Sequence, residues 1–499
     1  MSSFELLLQG FATALEPANL LFALIGCVLG MLVGVLPGIG PVAGTAILLP
    51  VTFSLGPTPA IIMLSAIYYG AMYGGTITSV LINVPGEGAS AITCLDGYEM
   101  AKQGRAGPAL AAAAIGSFVG GIMATLGLVL LALPLTQLAL RFGPPEFFAL
   151  MLVGLSLVTG LAGRSLIRAL VSAVLGLLIA MVGIDPVIGS PRFTFGDLHL
   201  LGGIEAVVVA MGLFGVGEIL LSLERPAPRA VTGMTLRSML LSRDDLERSI
   251  MPVVRGTGIG FGLGLIPGVG ALVPTVMSYV AEKKLSNTPE RFGAGMIEGV
   301  AGPETANNAY ATAALIPLFT LGIPGSPTVA IIMGAFMMNG LVPGPFLFRD
   351  HADVVWGVIA SLCIGNAILV ILNLPLIPLW VRLIRIPRSV LFPFVLGFCV
   401  LGAYSINGQA FDIGLMTAFG VLGYAFKKLD IPLAPMILTL ILGPLMETSL
   451  RQSLEISRGD FSILLTRPIS AGLIAVATLF VALSTMQGVA RIRGADSEA

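Results

Sequence analysis

Between Gly299 and Pro324 the chain reads GVAGPETANNAYATAALIPLFTLGIP, so that Glu304, Thr305, Asn307, Asn308, Thr312 and Thr320 stand in an otherwise apolar setting. Polar side chains in such surroundings are expensive to bury and are kept where they bind or transfer something. Carboxylate, amide and hydroxyl oxygens together can replace the water shell of a small cation such as sodium. Asn307 and Asn308 can equally tie helices together by interhelical hydrogen bonds. In the first half Tyr73, Thr76, Thr78, Ser79 and Asn83 form a comparable set, with Glu87 after it. For Glu87 and Glu304 two roles stand side by side: ligand of a cation, or cap of the next helix.

Both polar strings run into a chain break, Val84-Pro85-Gly86 in one half and Ile323-Pro324-Gly325 in the other. Proline removes a backbone donor and clashes with the preceding turn, and glycine loosens the next one, so a regular helix stops there. A helix that restarts beyond the break presents free N–H groups and the positive end of its dipole, which suits an anion such as a carboxylate. Ser90 lies on the restarting side of the first break, and Ser326 and Thr328 on that of the second. Neither break contains lysine or arginine, so an anion bound there would rely on dipoles, hydroxyls and a co-bound cation.

The elements that position these groups can be read from composition. Of 499 residues, 56% are hydrophobic and 11% charged, and the mean hydropathy is +0.98. Soluble domains are roughly a quarter charged. The segments from Pro17 to Gly86, Ala106 to Leu140 and Thr305 to Phe348 carry no charge at all, and a helix needs about 20 apolar residues to cross a bilayer. Lipid satisfies no backbone polar group, so these runs must be helical, with irregular turns buried in protein or facing a water-filled cavity. The expectation is an all-α integral membrane protein with roughly 10 to 13 transmembrane helices. The dense, continuous apolar runs exclude a porin-like barrel.

A glycine ladder repeats across the chain. Gly26, Gly30, Gly34, Pro37, Gly38 and Gly40 return as Gly256, Gly260, Gly264, Pro267, Gly268 and Gly270, a constant shift of 230 residues. Asn83-Val84-Pro85-Gly86 faces Gly322-Ile323-Pro324-Gly325 at a shift of 239, and RFGPPEFF from Arg141 faces RIPRSVL from Arg385. Three landmarks in one order argue for duplication. The reading is a first repeat over 17–222, a cytoplasmic linker over 223–250 and a second repeat with C-terminal helices over 251–490. The linker contains Arg225, Arg229, Arg237, Arg243 and Arg248, and basic loops favour the cytoplasm. Lys427, Lys428, Arg491 and Arg493 are assigned to the same side. Basic residues alternate between equivalent loops: Lys283, Lys284 and Arg291 face an uncharged loop and Arg382, Arg385 and Arg388 face Arg141 alone, whereas Lys102 and Arg105 of the first half face a mixed stretch with Arg349, Asp350, His351 and Asp353. Inverted repeats with broken, re-entrant helical hairpins predict that swap, and two interrupted segments at matching positions point to a secondary transporter with its site between the halves.

Other chemistries find less support. The net charge is −1 without a long basic block, which disfavours nucleic acid. Cys27, Cys94, Cys363 and Cys399 form no CxxC pair, and His199 and His351 stand alone, so no transition-metal site is expected. Glu5 and Glu16 near the start, without a basic region, do not read as a cleavable signal. Catalysis would call for HExxH or paired intramembrane aspartates, and Asp185, Asp412 and Asp430 lie at segment edges. A channel-like protein without coupled transport would want a repeated selectivity filter, which is absent. A noncatalytic membrane assembly subunit is the other alternative.

The strings PETANNA and LGIPGSPT, with VLPGIGP and LINVPGEGAS in the first half, resemble the large membrane subunit of the tripartite tricarboxylate transporters, the TctA family. The likeness runs from Leu20 to Leu479. It implies a multi-pass permease of the bacterial inner membrane, not an enzyme, that imports citrate or a related di- or tricarboxylate by symport with sodium or protons. It implies a small TctB-like membrane subunit and a periplasmic TctC-like solute-binding protein as partners, no cofactor, an elevator-like alternating access, and compatibility with homo-oligomers. Mapped onto this chain, it assigns substrate carboxylates to Pro85, Gly86, Ser90, Pro324, Gly325, Ser326 and Thr328. The cation falls to Thr76, Asn83, Glu304, Asn307 and Asn308. Gly34, Pro37, Gly38, Gly40, Gly264, Pro267, Gly268 and Gly270 are expected to pack or hinge the broken helices.

Overall fold

Proline and glycine punctuation sets where the helices begin and end. The computed structural model describes residues 3–36, 39–161, 165–185, 188–224, 240–377, 379–380 and 388–496. Helix α1 (Pro17–Val35) opens on a proline at its first position, as does α3 (Pro57–Ile82), where a missing N–H removes no helical bond. Between them lies α2 (Gly40–Leu48). Pro37 and Gly38, the expected break between α1 and α2, lie outside the described residues, as do linker residues 225–239 with Arg225, Arg229 and Arg237, and also Arg382 and Arg385.

After the first break come α4 (Thr93–Lys102), α5 (Ala106–Ala139) and α6, which runs from Ala206 to Leu223. Within α6, Met211–Val216 forms a π-helical turn. The second half opens with α7 (Arg243–Gly264), so the last part of the expected linker is already helical. There Ser242 and Asp245 form a reciprocal capping box that satisfies two free amides of the first turn. It continues through α8 (Leu272–Leu285), α9 (Glu298–Ala313), α10 (Leu315–Leu321) and α11 (Pro327–Met338). Next come α12 (Ala352–Asn373) and α13 (Ala410–Lys428). Besides the helices, Gly183–Ile184 pairs antiparallel with Pro191–Arg192 in a short hairpin.

Among the described residues five helices, α1, α3, α5, α6 and α12, are long and apolar enough to cross a membrane. Six further apolar helical segments are shorter, α11 among them. The chain is thus an all-α multi-pass membrane protein with both full-length and shorter apolar helices.

Two helices form the centre. Every residue of α3 from Ala60 to Ile82 is buried, and so is every residue of α9 from Gly299 to Ala313. The glycine ladders explain how partners approach them. Gly26 and Gly30 of α1 press on the carbonyls of Met63 and Ile67, and Gly34 presses on that of Ala71, leaving no room for a Cβ. In the second half Gly256 and Gly260 of α7 press in the same way on the carbonyls of Gly302 and Ala306, and Gly264 on Ala313. Without a hydrophobic effect between helices in lipid, such backbone-to-backbone contact supplies the packing.

Polar ties join the two halves. Buried Asp96 of α4 accepts hydrogen bonds from the backbone N–H groups of Gly293, Gly295 and Met296 at 2.8–2.9 Å, and from the Tyr279 hydroxyl at 2.8 Å. A buried carboxylate needs such a full set of donors.

Candidate substrate and cation site

Both central helices lead to left-handed caps. Asn83 ends α3 with φ 54°, and Gly322 ends α10 with φ 70°, the two positions that the shift of 239 pairs. Glycine takes this conformation freely, and asparagine is one of the few other residues that tolerates it. The chain then turns at Pro85-Gly86 and at Pro324-Gly325. Gly86 lies flat against the Gly34 carbonyl and Gly75, so the end of the ladder helix, the buried helix and the break meet as bare backbone. The carbonyl oxygen of Gly325 accepts from the Gly268 N–H and from the Tyr310 hydroxyl, both at 3.0 Å, and the Tyr310 hydroxyl also accepts from the Gly270 N–H at 2.9 Å.

The two breaks face one cavity of about 570 Å³. Pro85, Gly86 and Glu87 line it from the first half, and Ser326, Pro327 and Thr328 from the second. Gly40, Gly268 and Gly270 add to the wall. Its size falls within the range of about 300–1,000 Å³ usual for small-molecule sites. Ser326 is the N-cap of α11 and its hydroxyl accepts from the Val329 N–H at 3.3 Å, so the start of that helix is turned to the cavity.

Directly behind this wall lies a buried polar cluster. The Asn307 amide donates to the Glu87 carboxylate at 2.6 Å. Glu304 accepts from the Thr76 hydroxyl at 2.6 Å and from the Thr93 hydroxyl. The Asn308 amide donates to Ser117 at 2.7 Å and to the Glu304 carbonyl at 3.2 Å. The amide oxygens of Asn307 and Asn308 are buried and have no hydrogen-bond partner among the described residues. An unpaired buried carbonyl costs about 1–3 kcal/mol. Free amide oxygens in one cluster with the Glu87 and Glu304 carboxylates are of the chemical type that can ligate a hard cation.

Most of the expected site residues therefore fall into two layers. Pro85, Gly86, Ser326 and Thr328 line the cavity. Ser90 sits behind it, its hydroxyl donating to the Glu87 carbonyl at 3.0 Å, and Pro324 and Gly325 are buried beside it. Thr76, Glu304, Asn307 and Asn308 form the inner cluster. Asn83 stands apart, exposed at its cap. Pro267 is buried in the turn between α7 and α8.

Three more residues join the site: Glu87, which the sequence left between cation ligand and helix cap, and two that sequence reasoning did not place there. Glu87 lines the cavity and holds Asn307, and so links the two layers. The signal was there, a lone carboxylate two residues beyond Pro85, but spacing alone does not separate a cap from a ligand. Lys427 of α13 and Glu218 of α6 also line the cavity, paired with each other. The sequence assigns Lys427, with Lys428, to the cytoplasmic side, and nothing in it pairs Lys427 with Glu218.

On the linker side Arg105 pairs with Asp245 in the α7 capping box. Burial alone would raise the Asp245 carboxyl, but hydrogen bonds from Ser242 and Arg105 outweigh it and hold the group below the usual carboxylate range.

Comparison with known proteins finds relatives along nearly the whole chain. Residues 20–438 match the family model described as the tripartite tricarboxylate transporter TctA family. An uncharacterized 52.8 kDa protein in the TAR-I ttuC′ 3′ region of Agrobacterium vitis is 49% identical over 480 residues, 96% of each chain. An uncharacterized protein in the TAR-II ttuC′ 3′ region of the same organism is 46% identical over 227 residues, 46% of this chain and 94% of that one. No solved structure matches. With broken helices around one cavity and the family pattern over more than four-fifths of its length, the chain belongs to the tripartite tricarboxylate transporter TctA family.

Proposed function

We propose that this transporter subunit imports citrate or a related di- or tricarboxylate across a bacterial inner membrane by symport with a cation, sodium or a proton. In this reading the substrate occupies the cavity between the two breaks, with a carboxylate at the Ser326 end of α11 and against Pro85 and Gly86. The cation binds in the inner cluster to oxygens of Glu87, Thr76, Glu304, Asn307 and Asn308. The observation that carries the reading is the position of Glu87, which faces the cavity on one side and holds Asn307 on the other. A cation bound there offsets carboxylate charge at the wall of the substrate cavity, so that a multiply charged anion can enter after it. Coupling then rests on the differential affinity of loaded and unloaded states, as any linkage must.

The halves are read as an inverted duplication. Matching ladder contacts on two wholly buried helices, and matching left-handed caps at Asn83 and Gly322, support it. Elevator-like movement is the corresponding proposal for alternating access. A small membrane subunit and a periplasmic solute-binding protein are the partners proposed from family membership.

Reconstitution with both partners in proteoliposomes, with imposed sodium or proton gradients and labelled carboxylates, tests the reading. Uptake that tracks one gradient supports it. Carboxylate entry indifferent to both gradients overturns the symport.

A further inference from the structure

The cavity between the breaks has a third wall, made by α6 and α13. These helices approach closely because small residues face each other: Gly212 and Gly217 lie against the backbone around Met416 and Gly420, and Gly423 against Leu213. Glu218 comes just after the π-helical turn of α6, a distortion often found beside functional groups. Its carboxylate pairs with the Lys427 ammonium, and their side chains are only 11% and 26% exposed. Six residues further on, Glu224 pairs with Lys428 and accepts from the Tyr424 hydroxyl at 2.5 Å, but that pair is nearly half exposed on both sides. The two pairs differ in position: the inner one lines the cavity together with Ser326 and Pro85, and the outer one is not part of its lining.

We propose that Lys427 is the receptor for a second carboxylate of the transported anion, which takes the place of Glu218. The inference rests on the reading of this cavity as a carboxylate path. Among the described residues lining it, Lys427 is the only cation, against the carboxylates of Glu87 and Glu218. A polyanion with one carboxylate at the Ser326 helix end still has negative charge to place. Desolvating an ammonium in a membrane protein is expensive, but here about three-quarters of the side chain is already covered. Exchanging one carboxylate partner for another avoids repeating most of that desolvation, whereas a monocarboxylate has no second group to offer. Lys427 thus selects for substrates with at least two carboxylates, and Glu218 keeps the ammonium paired when the cavity holds none.

The test uses the reconstituted complex with acetate, succinate and citrate as probes. The expected result is that Lys427→Gln raises the KM for succinate and citrate at least tenfold, a larger factor than any change it makes to acetate uptake. Glu218→Gln, which frees the ammonium, is expected to lower the KM for the two polyanions or leave it as it is. If Lys427→Gln and Glu218→Gln instead raise KM in parallel, or Lys427→Gln leaves polyanion uptake unchanged, the pair only staples α6 to α13 and the proposal is overturned. A second measurement guards against misfolding: in the unmodified complex, citrate should slow acylation of Lys427 by an amine reagent more than acetate does, and equal labelling with and without citrate overturns the proposal. Wild-type complex that transports none of the three is a different result, which removes the carboxylate path itself and this assignment with it.

Discussion

The Asn307 amide reaches across the interface of the two halves to the Glu87 carboxylate at 2.6 Å, binding the first chain break to the buried helix of the second half. Behind it the amide oxygens of Asn307 and Asn308 have no partner among the described residues. If they and the two carboxylates hold the coupling cation, Glu87→Gln should raise the half-saturating cation concentration at least tenfold, a loss of about 1.4 kcal/mol. Asn308→Ala should act in the same direction while docking of the solute-binding protein stays unchanged. Uptake measured against cation concentration checks both, and an unaltered cation response in the two variants contradicts the assignment.

Asn83 offers a separation of roles. It is exposed and caps α3 at φ 54°, so Asn83→Gly should keep stability and cation response. Asn83→Val should lower the melting temperature in detergent, since a β-branched residue in that conformation costs roughly 1–2 kcal/mol. A large loss of cation dependence in Asn83→Gly would return this side chain to the cation site.

The glycine ladder makes a position-specific prediction within a single helix. Gly260 presses on the Ala306 carbonyl, whereas Gly258 and Gly262 of the same helix face open space. Gly260→Ala should destabilise by about 1–3 kcal/mol through overpacking. Gly258→Ala and Gly262→Ala should be neutral or slightly stabilising, because alanine is the better helix former. Thermal melts of the three variants decide, and equal effects would mean that α7 does not pack as described.

Asp245 predicts an acid response. Its folded-state pKa lies below the unfolded value of about 3.9, so it contributes stability above that pH and loses it as pH falls through the folded value. The melting temperature of the wild-type protein should therefore drop more steeply between pH 6 and pH 3 than that of Asp245→Asn. Parallel curves would show that the capping box and Arg105 add nothing at neutral pH.

How much of this was legible in the sequence depended on distance along the chain. Pro85 and Pro324 announced the breaks because proline acts on its own turn, and the ladder glycines announced close packing because their spacing of four is a helical period. Thr76, Glu304, Asn307 and Asn308 stood out because oxygen is rare in apolar runs. Pairings across hundreds of residues left no such mark. Glu218 and Lys427 each looked like the polar edge of a membrane segment, and only the approach of α6 to α13 turns them inward. Asn83 was grouped with the oxygen donors by composition. Its φ places it instead with Gly322, and that correspondence was already visible in the shift of 239 residues.

The bare-backbone seams fasten α1 to α3 and α7 to α9, and the bonds from Asn307 to Glu87 and from Thr76 to Glu304 fasten α3 to α9. Four helices and both breaks are in this way clamped into a single rigid cradle. If access alternates as proposed, that cradle is expected to move as one body, with the sliding surface outside it.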